Sequence, residues 1–267
     1  MKPNLSFGAS TLYDTQQVYV ESGLEIGSVG FSNGRSYVWC SHAGSGVLVR
    51  GEPLSASEPV VSAHNLATTT ACLNVGMTSI TGITAGVDAI AAGAFNDGLL
   101  VVVDGGGEGN AYVIHKNFAF TAATADGEVV LRDGVAVASD SSTEVSFIAN
   151  KYVNPQQSKS TLRTSFVGVP NVTVPAGNTT TQYFWAQRNG YCPTFVEGTP
   201  ERGAGVRVSD RLYGRLAAAK TEIAVAGATV AGGRTVHAIG QSPFVGYMVS
   251  DAIDGEVQVV DLQNSLV

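Results

Sequence analysis

Charge is what this chain has least of. Only 14% of its 267 residues are Asp, Glu, Lys or Arg, against ~25% in an ordinary soluble domain. It has no run of basic residues, so the electrostatic footprint of a nucleic-acid binder is missing. Cysteine is scarce as well. Cys40, Cys72 and Cys192 are odd in number, far apart and never in C-x-x-C spacing, which argues against both a disulfide framework and a zinc site. Reduced, buried thiols in a protein made in a cytosol are the plain reading. No stretch approaches the ~18–20 apolar residues of a membrane span, and the opening MKPNLSFGAS has no apolar centre of the kind a signal peptide needs. No nucleic-acid partner and no membrane are expected.

The patterns that carry chemistry are missing too. His42, His64, His115 and His237 never fall at i, i+2 or i, i+4 in a suitable context, so a metal would have to gather them from separate segments. No serine occupies a G-x-S-x-G elbow. Asp104 and Glu108 bracket a glycine-rich turn, but two carboxylates are too few for a calcium loop, which needs oxygens at several alternating positions. Capping of the turn amides suits them better. The sequence therefore predicts no enzyme, no cofactor and no metal.

What is abundant is glycine, with 32 residues, among small and β-branched residues. Hydrophobic content is 44%, enough for a sizeable core without staples. Short apolar or alternating runs at 35–40, 78–81, 99–103, 112–115, 128–131 and 144–148 read as strands. So do 181–188, 206–208, 222–225, 235–239, 244–249 and 256–262. Asn33-Gly34, Asp97-Gly98, Asp126-Gly127 and Asp133-Gly134 read as hairpin turns, because a type I′ turn needs positive φ at both central positions. The only helix-like window, residues 211–221, is poorly amphipathic and interrupted by Gly214. The expected fold class is all-β, with sandwich- or barrel-like modules and an extended N-terminal arm. The expected domains are residues 1–59 (arm and small hairpin), 60–152 (first β module), 153–164 (linker) and 165–267 (second β module).

Two runs stand out. Residues 99–116, LLVVVDGGGEGNAYVIHK, place three consecutive glycines between two strands. A phosphate-binding loop must open a helix whose N-terminal amides hold the anion. Here a β-branched and aromatic strand follows instead, and no Lys-Ser/Thr pair is present, so the glycines serve a turn. The second run is Tyr183-Phe184-Trp185, followed by Ala186-Gln187-Arg188. Three consecutive aromatics on a strand face both of its sides. Either both faces are buried within the chain, or one is covered by a partner, since aromatics and arginine are enriched at interfaces. The net charge of −7 lies wholly in residues 1–159, with seven basic and fourteen acidic side chains. Residues 160–267 hold eight of each. A mildly acidic, arginine-bearing chain suits protein partners.

Several stretches together resemble a family of tailed-phage virion structural proteins, of the capsid decoration or cement type. They are Gly34-Arg35-Ser36-Tyr37-Val38-Trp39 with Ala43-Gly44; Asn65-Leu66 before an Ala/Thr-rich stretch; residues 98–112; and Tyr183-Phe184-Trp185-Ala186-Gln187-Arg188-Asn189-Gly190. The C-terminal succession Val206-Arg207-Val208-Ser209-Asp210-Arg211-Leu212, Val236-His237-Ala238-Ile239-Gly240-Gln241 and Gly255-Glu256-Val257-Gln258-Val259 is similar as well. The resemblance implies a non-enzymatic protein, made in the host cytoplasm and carried on the virion. It would bind the major capsid protein and stabilise the lattice, associating with itself as a homotrimer. The candidate oligomer or capsid contacts are then Tyr13 and Tyr19 in the arm and Tyr183, Trp185 and Arg188 on the aromatic strand. The alternative is a head fibre or tail appendage protein that binds host-surface carbohydrate or receptor, with Tyr183 and Trp185 stacking on sugar. The glycine run makes its own prediction: thermal denaturation with ATP, GTP or NAD leaves the Tm unmoved, and a ligand-dependent rise would overturn the turn reading.

Overall fold

A computed structural model of the chain describes residues 4–6, 14–57, 63–69, 72–86, 88–122, 124, 127–158, 165–209, 211–219, 229–230, 234–235 and 244–263. Its described part is all-β, with no α-helix. The chain divides into two compact units. One comprises Met1–Ser57 and Lys151–Val267, the other Glu58–Asn150, so the second unit is an insertion in the sequence of the first. The strands are β1 (Asn4–Ser6), β2 (Val29–Ser32), β3 (Arg35–His42) and β4 (Leu54–Ser55) in the first unit. The inserted unit holds β5 (Leu66–Ala67), β6 (Ser79–Ile83), β7 (Leu99–Asp104), β8 (Ala111–Asn117), β9 (Gly127–Leu131) and β10 (Glu144–Ile148). The first unit resumes with β11 (Gln156–Gln157), β12 (Phe166–Pro170), β13 (Gln182–Glu197), β14 (Gly205–Val208), β15 (Leu216–Ala218), β16 (Thr229–Val230), β17 (Arg234–Thr235), β18 (Phe244–Met248) and β19 (Val257–Gln263).

The inserted unit is a six-stranded antiparallel sheet in the order β5-β10-β7-β8-β9-β6. Its two ends meet. Thr68 bridges to Ile83, Thr69 N–H donates to Gly82 O (2.8 Å) and Thr84 N–H to Ala67 O (3.0 Å), giving a barrel-like closure that leaves no free edge there. Alternation along the strands sends Leu100, Val102, Tyr112, Ile114, Val145 and Phe147 inward, where they join Phe95 and Phe120 in one core. The glycine run forms the β7–β8 turn, with φ of 75°, 87° and 86° at Gly105, Gly107 and Gly109. Asp104 Oδ1 accepts the Gly105 N–H at 2.7 Å, so this carboxylate caps a turn amide.

The tip of that turn leans on the loop at 137–143. A Cβ on Gly106 would lie 2.9 Å from Ala138 O, which is why the position has no side chain. Asp140 latches this loop. Its Oδ1 accepts from Ser142 Oγ (2.7 Å) and Ser142 N (2.9 Å). The Ser142 hydroxyl, then the backbone amides of Ser142 and Gly106, hold the Asp140 carboxyl down from 3.8 to about 2. The latch is therefore complete above the ordinary carboxyl range and is lost only as the pH falls through about 2.

In the first unit, β13 dominates. Its first half pairs antiparallel with β3, Gln182 opposite His42 through Asn189 opposite Ser36. Its second half pairs antiparallel with β19, Asn189 opposite Gln263 through Phe195 opposite Val257. Its end pairs in parallel with β15. Since β15 pairs β14, β14 pairs β18 and β18 pairs β19, the strands β13, β15, β14, β18 and β19 close into a small barrel. Cys192, Val196, Val206, Val208, Leu216, Val245, Met248, Val260 and Leu262 fill its core with Phe166 and Val169. The β2–β3 hairpin extends the sheet. Asn33 and Gly34 turn it with φ of 49° and 73°, the geometry that an Asn-Gly pair favours.

Three expectations need correction. Residues 1–59 are not all a peripheral arm: β3 is buried along nearly its whole length, lies between β2 and β13, and is therefore interior to the sheet. The described part of the expected linker is structural, because Val153 bridges to Ser41 and β11 pairs with β4; residues 159–164 lie outside the described residues. In line with the sequence reading, residues 211–219, the described part of the weak window at 211–221, are not helical. Gly214 has φ 64°, which ends any helix there, and β15 follows it as a ladder partner. Gly98 is glycine for proximity rather than for positive φ: Asp97 takes the left-handed conformation (φ 60°), while a Cβ on Gly98 would meet Ile148 O at 2.4 Å. The strand expected at 222–225 lies outside the described residues, and of 235–239 only Thr235 is described.

The barrel wall is intolerant of volume where β18 crosses β19. A Cβ on Gly246 would lie 2.1 Å from Asp261 O, whereas one on Gly46 meets nothing within 4 Å. Gly246→Ala is expected to lower stability by about 1–3 kcal/mol, and Gly46→Ala to change it by less than about 0.5 kcal/mol, read by urea denaturation.

Candidate functional site: the aromatic–arginine seam

The candidate residues converge on the first half of β13, and its register with β3 explains their placement. Cross-strand partners share a face of the sheet, and successive residues alternate between faces. Phe184 lies opposite Cys40 and Ala186 opposite Val38. These four pack on one face with Leu48, Leu54, Val167 and Val174. Trp185 lies opposite Trp39, on the other face. There the two indoles pack with Ile26 and Tyr37, and Tyr19, Leu24, Tyr152, Val153 and Tyr183 cover them. The Trp39 and Trp185 rings are 4.9 Å apart and tilted by 58°. Tyr183 stacks on Trp39 at 6.2 Å and 8°, and Tyr19 adds a tilted contact at 5.5 Å. Tyr19 is held in place by its own backbone, exchanging hydrogen bonds with Tyr183 at 2.8 and 2.7 Å. The strand is thus buried on both faces within one chain, the first of the two readings that the sequence left open.

Arg188 owes its position to a bulge. The β13–β3 register shifts between Gln187 and Asn189, so Arg188 is an extra residue on β13, and a bulge re-aims the side chain it carries. Gln187 stabilises the irregularity: its Nε2 lies within donor range of Asn189 O (3.1 Å), Gly190 O (3.3 Å) and Tyr191 O (3.0 Å). Arg188 is only 5% exposed. Its Nη1 donates to the Tyr152 hydroxyl at 3.0 Å, and its Cζ lies 5.8 Å from the centre of the Tyr152 ring. Lys151 Nζ approaches the same ring to 5.2 Å.

Burial sets the ionisation of the groups around this seam. It pushes the Cys40 thiol far up, against the opposing pull of Arg188, and raises Tyr152, again against Arg188. Both are neutral at pH 7. Cys192, in the barrel core, is pushed up to about 12 by the same cause. Neither Cys40 nor Cys192 presents a thiolate, the reactive form of the residue. All three cysteines are buried and unbridged.

Of the five candidate contacts, Tyr13 lies outside the described residues. Tyr19 and Tyr183 are half-buried in the seam. Trp185 has no exposed surface and Arg188 almost none, so their assignment as oligomer or capsid contacts is corrected: neither offers the area that a protein partner needs. Trp185 equally has no face on which a sugar can stack.

The apolar surface that sequence reasoning missed lies further along the same strand. On the outside of the small barrel, Tyr191, Asp261 and Tyr247 stand in one row across β13, β19 and β18, with Pro193 opposite Val259 and Phe195 opposite Val257 beside them. Tyr191 is 59% exposed, and Phe244, Tyr247, Val257 and Val259 are also exposed. Phe244 and Tyr247 contact edge to face at 5.1 Å. One signal was present in the sequence: Val259-Val260 puts valine on both faces of β19, and only one face can point into the barrel.

No protein-family model matches this chain, and neither a curated protein nor a solved structure does.

The two aromatic positions on β13 make opposite predictions. Trp185→Ala empties a fully enclosed site and is expected to cost about 3–5 kcal/mol of stability. Tyr191→Ala, on the outer wall, is expected to stay within about 0.5 kcal/mol of the parent. Equilibrium denaturation of the two variants separates them.

Proposed function

We propose that this chain is a non-enzymatic structural protein of a virion, a capsid decoration or cement protein that binds the major capsid lattice and stabilises it. The observation that carries the reading is the apolar outer wall of the small barrel: Tyr191, Pro193, Phe244, Tyr247, Val257 and Val259, spread over three adjacent strands with Asp261 as the one charged side chain in the Tyr191–Tyr247 row. Phe244 and Tyr247 touch, Val257 and Val259 lie on the neighbouring strand, and Tyr191 stands across Asp261 from Tyr247; exposed apolar side chains gathered on one wall are of the kind that marks a protein-interaction surface. Aromatic residues supply most of the strong contacts at such surfaces, and charged residues are depleted from their centres.

Low overall charge and the resemblance of the strand-and-turn segments to phage decoration proteins support the same reading. Copies of the chain would associate with one another on the lattice as a closed oligomer, the usual state of homo-oligomers, and the resemblance to phage decoration proteins implies a trimer. Two measurements test the proposal. Mass spectrometry of the purified particle is expected to find the chain at a copy number comparable to that of the major capsid subunit; a handful of copies would favour an appendage, and none would overturn the reading. Tyr247→Lys, at a side chain nearly half exposed, is expected to leave the Tm within about 2 °C of the parent. It should weaken binding to expanded heads by about 2 kcal/mol or more. Undiminished binding would remove the barrel wall from the interface.

A further inference from the structure

We infer that Lys151 and Arg188 form a binding site for a small oxyanion of the carboxylate or phosphate class, beside the Tyr152 ring. The inference is independent of the capsid reading, because it concerns the isolated chain.

The geometry comes first. Arg188 and Lys151 approach one ring, at 5.8 and 5.2 Å from its centre. The bulge on β13 turns Arg188 toward it, and the segment that leaves Asn150 brings in Lys151. Among the described residues the guanidinium makes one hydrogen bond, to the Tyr152 hydroxyl, and its buried Nε has no acceptor. Among the described residues, no Asp or Glu forms an ion pair with either cation.

The electrostatics follow. A buried cation is costly unless it is paired and hydrogen-bonded, and a second cation at the same ring adds repulsion. The two neighbouring groups able to carry negative charge, Cys40 and Tyr152, are kept neutral by burial. Burial, followed by the charge of Arg188, pushes the half-buried Lys151 down from its usual value. Two positive groups therefore stand at one ring, and no described carboxylate supplies a countercharge. A planar carboxylate or a phosphate matches the fork of donors on a guanidinium. Lys151 is a point charge on a flexible stem that is partly open to solvent, and it suits the outer side of the same anion.

The test reads Lys151 directly in the intact chain. Acetylation of individual lysines by acetic anhydride is followed by mass spectrometry at constant ionic strength, with chloride replaced by inorganic phosphate or by acetate. Phosphate or acetate in the millimolar range is expected to slow acetylation of Lys151 at least threefold. Lys116 is the internal control. Its Nζ also lies over a ring, Phe118, at 4.4 Å, but it is exposed and has no buried arginine beside it, so its rate is expected to stay constant. In parallel, phosphate is expected to raise the Tm of the parent chain more than that of Lys151→Met. Equal slowing at Lys151 and Lys116, or none at Lys151, overturns the site, as does an identical Tm rise in parent and variant.

Discussion

The double burial of β13 is the constraint from which the rest of the first unit follows. A strand that is buried on both faces must be covered on both, and β13 runs for sixteen residues. Its first half is covered on one side by the aliphatic cluster around Leu48, Leu54 and Val174, and on the other by the indole–tyrosine cluster around Trp39. Its second half helps to close a barrel. Because β3 and β19 share it as a ladder partner, segments more than two hundred residues apart in sequence belong to one sheet, and the inserted unit leaves and returns to the chain without breaking that sheet.

The change of partner has a chemical consequence. Where β13 passes from β3 to β19, the ladder admits an extra residue, and the extra residue is an arginine. A hydrophobic residue would have fitted the surrounding cluster with less desolvation cost. The guanidinium instead reaches the Tyr152 hydroxyl and stands near Lys151, so a local irregularity of backbone pairing becomes a concentration of positive charge.

The low charge of the chain acquires meaning from the barrel. Small barrels need one apolar face per strand, and alternation leaves the other face to water. In β19 the inward positions are Val260 and Leu262, and the outward positions Val257 and Val259 are apolar too. With Tyr191, Phe244 and Tyr247 alongside, this wall differs from the usual solvated face. The proposed capsid contact rests on this wall.

Much was legible in the sequence. Glycine turns and β-branched runs determined the all-β class. Alternation located β7 to β10, β18 and β19 to within a residue or two, and Asn33-Gly34 determined the β2–β3 hairpin, because these signals act over neighbouring residues. The absence of a helix after Gly105-Gly106-Gly107 likewise determined a turn in place of a phosphate loop. Tertiary structure alone decided which strands are neighbours. Nothing local records that Trp39 faces Trp185, and the pairing moved the aromatic run from a supposed interface to the interior. The same holds for Arg188, whose burial depends on a bulge in a ladder between strands some 150 residues apart, and for the Tyr191–Asp261–Tyr247 row, assembled from three strands. Hydrophobic periodicity reports that a side chain has an inner or an outer face. Which face is inner is decided by the partner strand, and that choice is made by long-range packing.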